Sequence, residues 1–155
     1  MTESAVEMRA VLHEVGKAFN EVVPPSTKVV ILDLKEHPLW MEIGKTLSQI
    51  ALPREATTFK LVEGMRNYLS DNNIGYLELD HALEEMVKKG YLTFRQNSER
   101  NFFPTLALTR ALNTIIVLEN KVVKPAIELS EQNPTLKYDR DLRKKVTDVI
   151  YDAIR

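Results

Sequence analysis

Gly75-Tyr76-Leu77-Glu78-Leu79-Asp80-His81-Ala82-Leu83-Glu84-Glu85-Met86-Val87-Lys88-Lys89-Gly90-Tyr91-Leu92-Thr93-Phe94 is the stretch on which the fold of this chain turns. Leu79, Leu83, Met86 and Val87 stand at i, i+4, i+7 and i+8, the spacing of an amphipathic helix with one apolar stripe. Lys88 and Lys89 fall at the negative end of that helix, and Gly90 is a residue that can turn left-handed and stop it. Two β-prone runs follow, Tyr91 to Arg95 and Asn101 to Leu106. Between them lie the polar turn formers Gln96-Asn97-Ser98-Glu99, so the chain is expected to double back as a hairpin. A helix, a glycine stop and a polar-tipped hairpin in this order form the second half of a winged helix-turn-helix.

Working outward, Ile74-Gly75 is the expected turn into the central helix. Before it, Thr57 or Thr58 can cap a helix carrying Leu61, Val62, Met65, Tyr68 and Leu69, ending at Asp71-Asn72-Asn73. His37-Pro38 opens an earlier helix with the stripe Leu39, Ile43, Leu47 and Ile50, closed by Pro53. The apolar run Val29 to Leu32 fits a strand or a buried helical turn, and periodicity does not separate the two. Ser4 and Glu7 make a capping box for a helix running to about Val22, ended by Pro24-Pro25. Met8, Leu12, Val15 and Phe19 share one of its faces.

Downstream, Thr109 is the expected cap of a long apolar helix containing Leu112, Ile115, Ile116, Leu118, Val122 and Val123, bent or interrupted near Pro125. Asn133-Pro134 breaks the chain again, and Asp139 caps a last helix. The expected fold is mostly α with a small β-hairpin. It divides into an N-terminal helix and connector over 1–36, the winged-helix region over 37–109 and C-terminal helices over 110–155. The two flanking helical segments carry more apolar surface than so small a centre can cover. They therefore predict a homodimer, with Met8, Leu12, Val15, Phe19, Leu112, Ile115, Ile116 and Val122 at the interface.

The 155 residues are 44% hydrophobic and 28% charged, a globular composition. No cysteine is present, which excludes a disulfide framework, a thiolate zinc site and a thiol nucleophile. No apolar run reaches the roughly 20 residues of a membrane span, and no signal-peptide core opens the chain, so a cytoplasmic protein is expected. His13, His37 and His81 are scattered without a second ligand at i+3 or i+4, and neither a Gly-rich phosphate loop nor Gly-x-Ser-x-Gly occurs. Glu84-Glu85 and Asp139-Asp141 are carboxylate pairs, the second at a helix start that favours acids on electrostatic grounds alone. No catalytic, metal or cofactor residue is expected, and Trp40 is read as core.

The formal net charge is −1, so the whole chain is not basic. Residues 88–110 differ: Lys88, Lys89, Arg95, Arg100 and Arg110 stand against Glu99 alone, and five minus one gives +4. The central helix ahead of them carries Glu78, Asp80, Glu84 and Glu85.

From about residue 39 to 115 the order of elements resembles PadR-like winged-helix transcription regulators. Their reading helix is written around Leu-Tyr-x-Ala-Leu-x-x-Leu-x-x-x-Gly-Leu. Leu79, Ala82, Leu83, Met86, Gly90 and Tyr91 sit on that pattern, and Leu108-Thr109 matches the Leu-Thr after the wing. Asp80 stands where the family commonly has tyrosine, and Pro104-Thr105-Leu106-Ala107 lengthens the second wing strand. The resemblance implies a homodimeric regulator of double-stranded DNA, paired through C-terminal and often N-terminal helices. On that expectation Lys88, Lys89, Arg95 and Arg100 hold phosphates, Ser98 enters the groove at the wing tip, and Tyr76, His81 and Asn97 supply sequence preference. The alternative is a winged helix used as a protein-interaction module, whose acidic helix face meets a basic partner.

Overall fold

The computed structural model describes residues 21–50 and 54–132, with 13, 14, 17, 144, 147, 148, 151 and 152. It contains helices α1 (Pro25–Glu36), α2 (Pro38–Gln49), α3 (Thr58–Gly64), α4 (Arg66–Asp71) and α5 (Tyr76–Lys88), then strands β1 (Leu92–Gln96) and β2 (Arg100–Pro104). Helix α6 (Leu106–Leu118), a π-helical turn (Glu119–Val123) and α7 (Lys124–Glu131) follow. The architecture is mostly helical with one antiparallel hairpin. Two compact units are present, one of residues 33–112 and one of the flanking stretches 1–32 and 113–155.

The run Val29 to Leu32 is helical, which settles the choice left open by its composition. Thr27, Val30, Ile31 and Leu34 are buried at i, i+3, i+4 and i+7, so the helix places its apolar residues on one side. In the 33–112 unit, α2 buries Trp40, Ile43, Gly44 and Leu47, and α5 buries Leu79, Ala82, Leu83 and Met86. These faces meet each other and α3, and the hairpin closes the unit with Leu92 and Phe102. A Cβ at Gly44 would lie 3.0 Å from a Leu112 methyl, so α6 approaches α2 closely at that point.

Thr57 is the N-cap of α3, accepting from the Lys60 N–H at 3.2 Å. The expected single helix from there to Asp71 is instead divided at Met65, next to Gly64. Hydrogen bonds continue across the division, from Met65 N–H to Leu61 O and from Leu69 N–H to Met65 O. The two pieces therefore form one kinked helical arm.

Helices α4 and α5 end alike. Asn73 at φ 53° and Gly90 at φ 81° take the left-handed conformation. Ile74 N–H then reaches back to Leu69 O, and Tyr91 N–H to Met86 O, both at 2.9 Å. These are the wrapped carbonyl contacts of a Schellman stop.

The hairpin pairs Leu92 with Pro104, Thr93 with Phe103, Phe94 with Phe102, Arg95 with Asn101 and Gln96 with Arg100. Both strands are offset from the expected runs. The second ends at Pro104, and Leu106-Ala107 belong to α6, so Pro104-Thr105-Leu106-Ala107 does not lengthen it. Helix α6 also begins three residues before the expected cap at Thr109. Thr105 is the residue at the junction: its Oγ1 accepts from Leu108 N–H at 3.5 Å and its carbonyl from Thr109 N–H at 3.0 Å. The Thr105 hydroxyl also donates to Gly90 O at 2.6 Å, which fastens the start of α6 to the stop of α5.

In the other unit, Ile115, Leu118, Val123 and Ile127 are buried. The interruption expected near Pro125 is the π turn just before it. Leu118 and Val123 are five residues apart, which an α-helix would turn about 140° away from each other. The wide turn returns both to one side. Val122 is consequently only half-buried, while Val123 takes the core position. Of the expected helix from Ser4 to about Val22, His13, Glu14, Lys17, Glu21 and Val22 are described and helical; the cap at Ser4, the stripe Met8, Leu12, Val15 and Phe19, the break at Asn133-Pro134 and the cap at Asp139 lie outside the described residues. No described helix is long and apolar enough to cross a membrane.

Candidate nucleic-acid interface

Helix α5, its C-cap residue Lys89 and the hairpin carry all eight residues singled out for DNA contact. With Leu79, Ala82, Leu83 and Met86 buried, the opposite ridge of α5 is Leu77, His81, Glu84 and Lys88, at i, i+4, i+7 and i+11. All four are exposed, and so is Tyr76 in the first helical turn. Gly75 caps the helix without a side-chain hydrogen bond.

The cations on these elements are engaged by carboxylates of the same unit. Lys88 Nζ lies 3.7 Å from Glu85 Oε1, and His81 Nε2 lies 3.9 Å from the same oxygen. Lys89 Nζ is 3.8 Å from Asp33 Oδ2. Arg95 is ion-paired with Glu55, in the segment before α3. Arg100 has the most partners: its Nη2 is 3.4 Å from Glu84 Oε1 and 3.7 Å from Asp80 Oδ1. Its guanidinium also lies 5.4 Å from the Phe94 ring centre and 5.2 Å from that of Phe102. Asp80 further accepts the Thr58 hydroxyl at 3.1 Å. Arg100 therefore joins hairpin to helix, with its side chain 31% exposed. Lys88, Lys89 and Arg95 remain more than half exposed, and pairs in that much solvent contribute about 0–1 kcal/mol. Asn97 and Ser98 form the exposed tip, where Asn97 N–H donates to Glu99 O at 3.0 Å.

Sequence patterns passed over two groups. Arg54, Lys60 and Arg66 are exposed, and their side chains have no ion pair among the described residues. The first lies before α3, the second in its first turn and the third at the start of α4. A polar search of the helix arm would have found Lys60 and Arg66, because α3–α4 is the helix preceding the turn. The second group centres on Asp33, which accepts the Tyr91 hydroxyl at 2.5 Å and lies 3.3 Å from His37 Nδ1. His37 stacks on Trp40 with ring centres 3.8 Å apart, and Trp40 meets Tyr91 edge-on at 6.0 Å. Burial, then the Asp33 hydrogen bond, raises the Tyr91 phenol well above its ordinary range.

One backbone feature completes the geometry. Ala56 forms an antiparallel bridge with Phe102, donating to its carbonyl at 3.0 Å and accepting from its N–H at 2.8 Å. The segment leading into α3 thus lies along the hairpin as a third, one-residue strand. Among the described residues no group of three His, Asp or Glu side chains is placed to hold a metal. Leu112 and Ile115, expected at a dimer interface, are buried within the chain, while Ile116 and Val117 are exposed. Compared with known proteins, the chain matches no family model, no curated sequence and no solved structure.

Proposed function

We propose that residues 37–109 are a winged helix-turn-helix that binds double-stranded DNA, within a homodimeric transcription regulator of the kind PadR-like sequences resemble. The observation that carries this is the Ala56–Phe102 bridge. It sets the extended segment before α3 against the hairpin, which supports the order helix, extended segment, helix arm, turn, helix and two-stranded wing of a winged helix-turn-helix. Helix α2, the arm α3–α4, the Asn72-Asn73 turn, α5 and the hairpin fill those places in turn.

Phosphate contacts fall to cations with the fewest ties to the protein. Those are Arg54, Lys60 and Arg66, then Arg95, Lys88 and Lys89, whose ion pairs are solvent-exposed. Arg100 is assigned to holding the wing against α5. His81, Tyr76, Asn97 and Ser98 face outward at positions where base or sugar contacts are made. Exposed Ile116 and Val117 on α6 favour pairing with a second copy.

The test is fluorescence anisotropy with random-sequence duplex at low and moderate salt. Binding should weaken with salt, and Lys60→Ala with Arg95→Ala should reduce the slope of log K against log salt by about one for each phosphate set free. No binding at low salt, or an unchanged slope, overturns the assignment.

A second reading is favoured by one observation: every cation on α5 and the wing has a carboxylate of its own unit as neighbour. On that reading the acidic residues of α5, Glu78, Glu84 and Glu85, meet a basic protein partner. Binding of a basic peptide in place of duplex in the same assay would select it.

A further inference from the structure

We infer that Leu77 is a specificity-determining residue that reads the 5-methyl group of a thymine in the major groove. This rests on the DNA-binding function proposed above. The side chain of Leu77 is 81% exposed, the most exposed of the large apolar residues described. It stands in the first turn of a helix whose N-terminal end, in helix-turn-helix docking, is the end presented to base edges.

The other residues of the outer ridge have charged neighbours within their own unit. Glu84 receives Arg100 at 3.4 Å, Lys88 pairs with Glu85 at 3.7 Å, and His81 lies 3.9 Å from that same Glu85. Reading guanine O6 and N7 takes an Arg or Lys donor at the base edge. The ridge offers neither in its first two turns. What it offers at the leading position is a branched apolar group, and the complementary feature in the groove is the thymine methyl. Glu78 and Glu85 flank the ridge on one side, Asp80 and Tyr76 on the other.

The experiment begins with a duplex selected from random DNA by the intact protein. Thymines are replaced one at a time by deoxyuridine, which removes the methyl and nothing else, and Kd is measured by anisotropy for the wild type and Leu77→Ala. At one thymine per half-site, deoxyuridine should weaken wild-type binding about four-fold, the effect of burying one methyl-sized group. Leu77→Ala should bind the unmodified duplex more weakly by at least as much, and be indifferent to the same replacement. A wild type indifferent to every deoxyuridine, or a variant that keeps full sensitivity, overturns the inference while leaving DNA binding intact. Absence of any duplex binding at low salt overturns the DNA function, and this inference with it. The side chain is in solvent, so the variant should retain its urea midpoint. The deoxyuridine series on the wild type stands even without it.

Discussion

Replacing Tyr91 by Phe removes a single oxygen and tests how the hairpin is fastened. The ring is 6% exposed and packs edge-on against Trp40, contacts that Phe preserves. What disappears is the 2.5 Å hydrogen bond to Asp33. A hydrogen bond to a charged group contributes about 1.5–3 kcal/mol. Asp33 keeps Lys89 and His37 as neighbours and some solvent, so the lower part of that range applies, about 1.5–2 kcal/mol. In a chain of this size that lowers Tm by about 3–8 °C.

The pH dependence has a definite sign. The folded protein holds the Tyr91 proton more tightly than the unfolded chain does. The stabilisation is therefore fully present below the unfolded pKa of about 10 and declines as pH rises above it. Phe has no proton to lose, so the stability gap between wild type and Tyr91→Phe should narrow in alkali. Tyr151, pushed up to about 12 by burial and then Glu119, and Tyr68, raised by burial and then Glu42, act equally in both proteins and cancel. Urea unfolding at about pH 7, 9 and 10.5 measures the gap. A gap under about 0.5 kcal/mol at neutral pH, or one that widens in alkali, refutes the argument.

Other substitutions separate the remaining contributions. Phe102→Ala empties a fully buried site beneath the hairpin and should cost about 3–5 kcal/mol in chemical denaturation. Gly90→Ala should cost about 1–2 kcal/mol, because φ 81° forces its Cβ into strain with no steric contact to blame. Gly75→Ala, at φ −87° with open space around it, should stay within about 0.5 kcal/mol of wild type. Equal destabilisation at the two glycines would contradict the left-handed stop. Ile116→Glu with Val117→Glu should convert a species of twice 17.8 kDa into one of 17.8 kDa by light scattering. A wild type already at the smaller mass removes the dimer.

The central helix and hairpin were legible because their signals are local: a 3.6-residue period, a glycine, and four turn formers in a row. The start of α6 was not. Thr105 and Thr109 are equally competent caps by type, and only the Thr105 contact with Gly90, fifteen positions back, distinguishes them. Val122 and Val123 could not be ranked either, since a π turn abolishes the regular period that would rank them. The arginines show the same limit on the functional side. Composition marked Arg95 and Arg100 as a positive tip, but Glu55 and Glu84 are 40 and 16 residues away in sequence. Charge seen along a chain is not charge seen by a ligand. Asp33 was invisible for the same reason, being 58 residues from Tyr91.

The π turn at Glu119–Val123 holds one residue more than a regular helix would need there. Excising Asn120 should let Leu118 and Val123 become neighbours four apart on a straight rod, with their apolar facing intact. Every residue of α7 would then keep its orientation about the axis. The surplus residue thus sits where it can be removed without turning α7 away from the side that Leu118 faces.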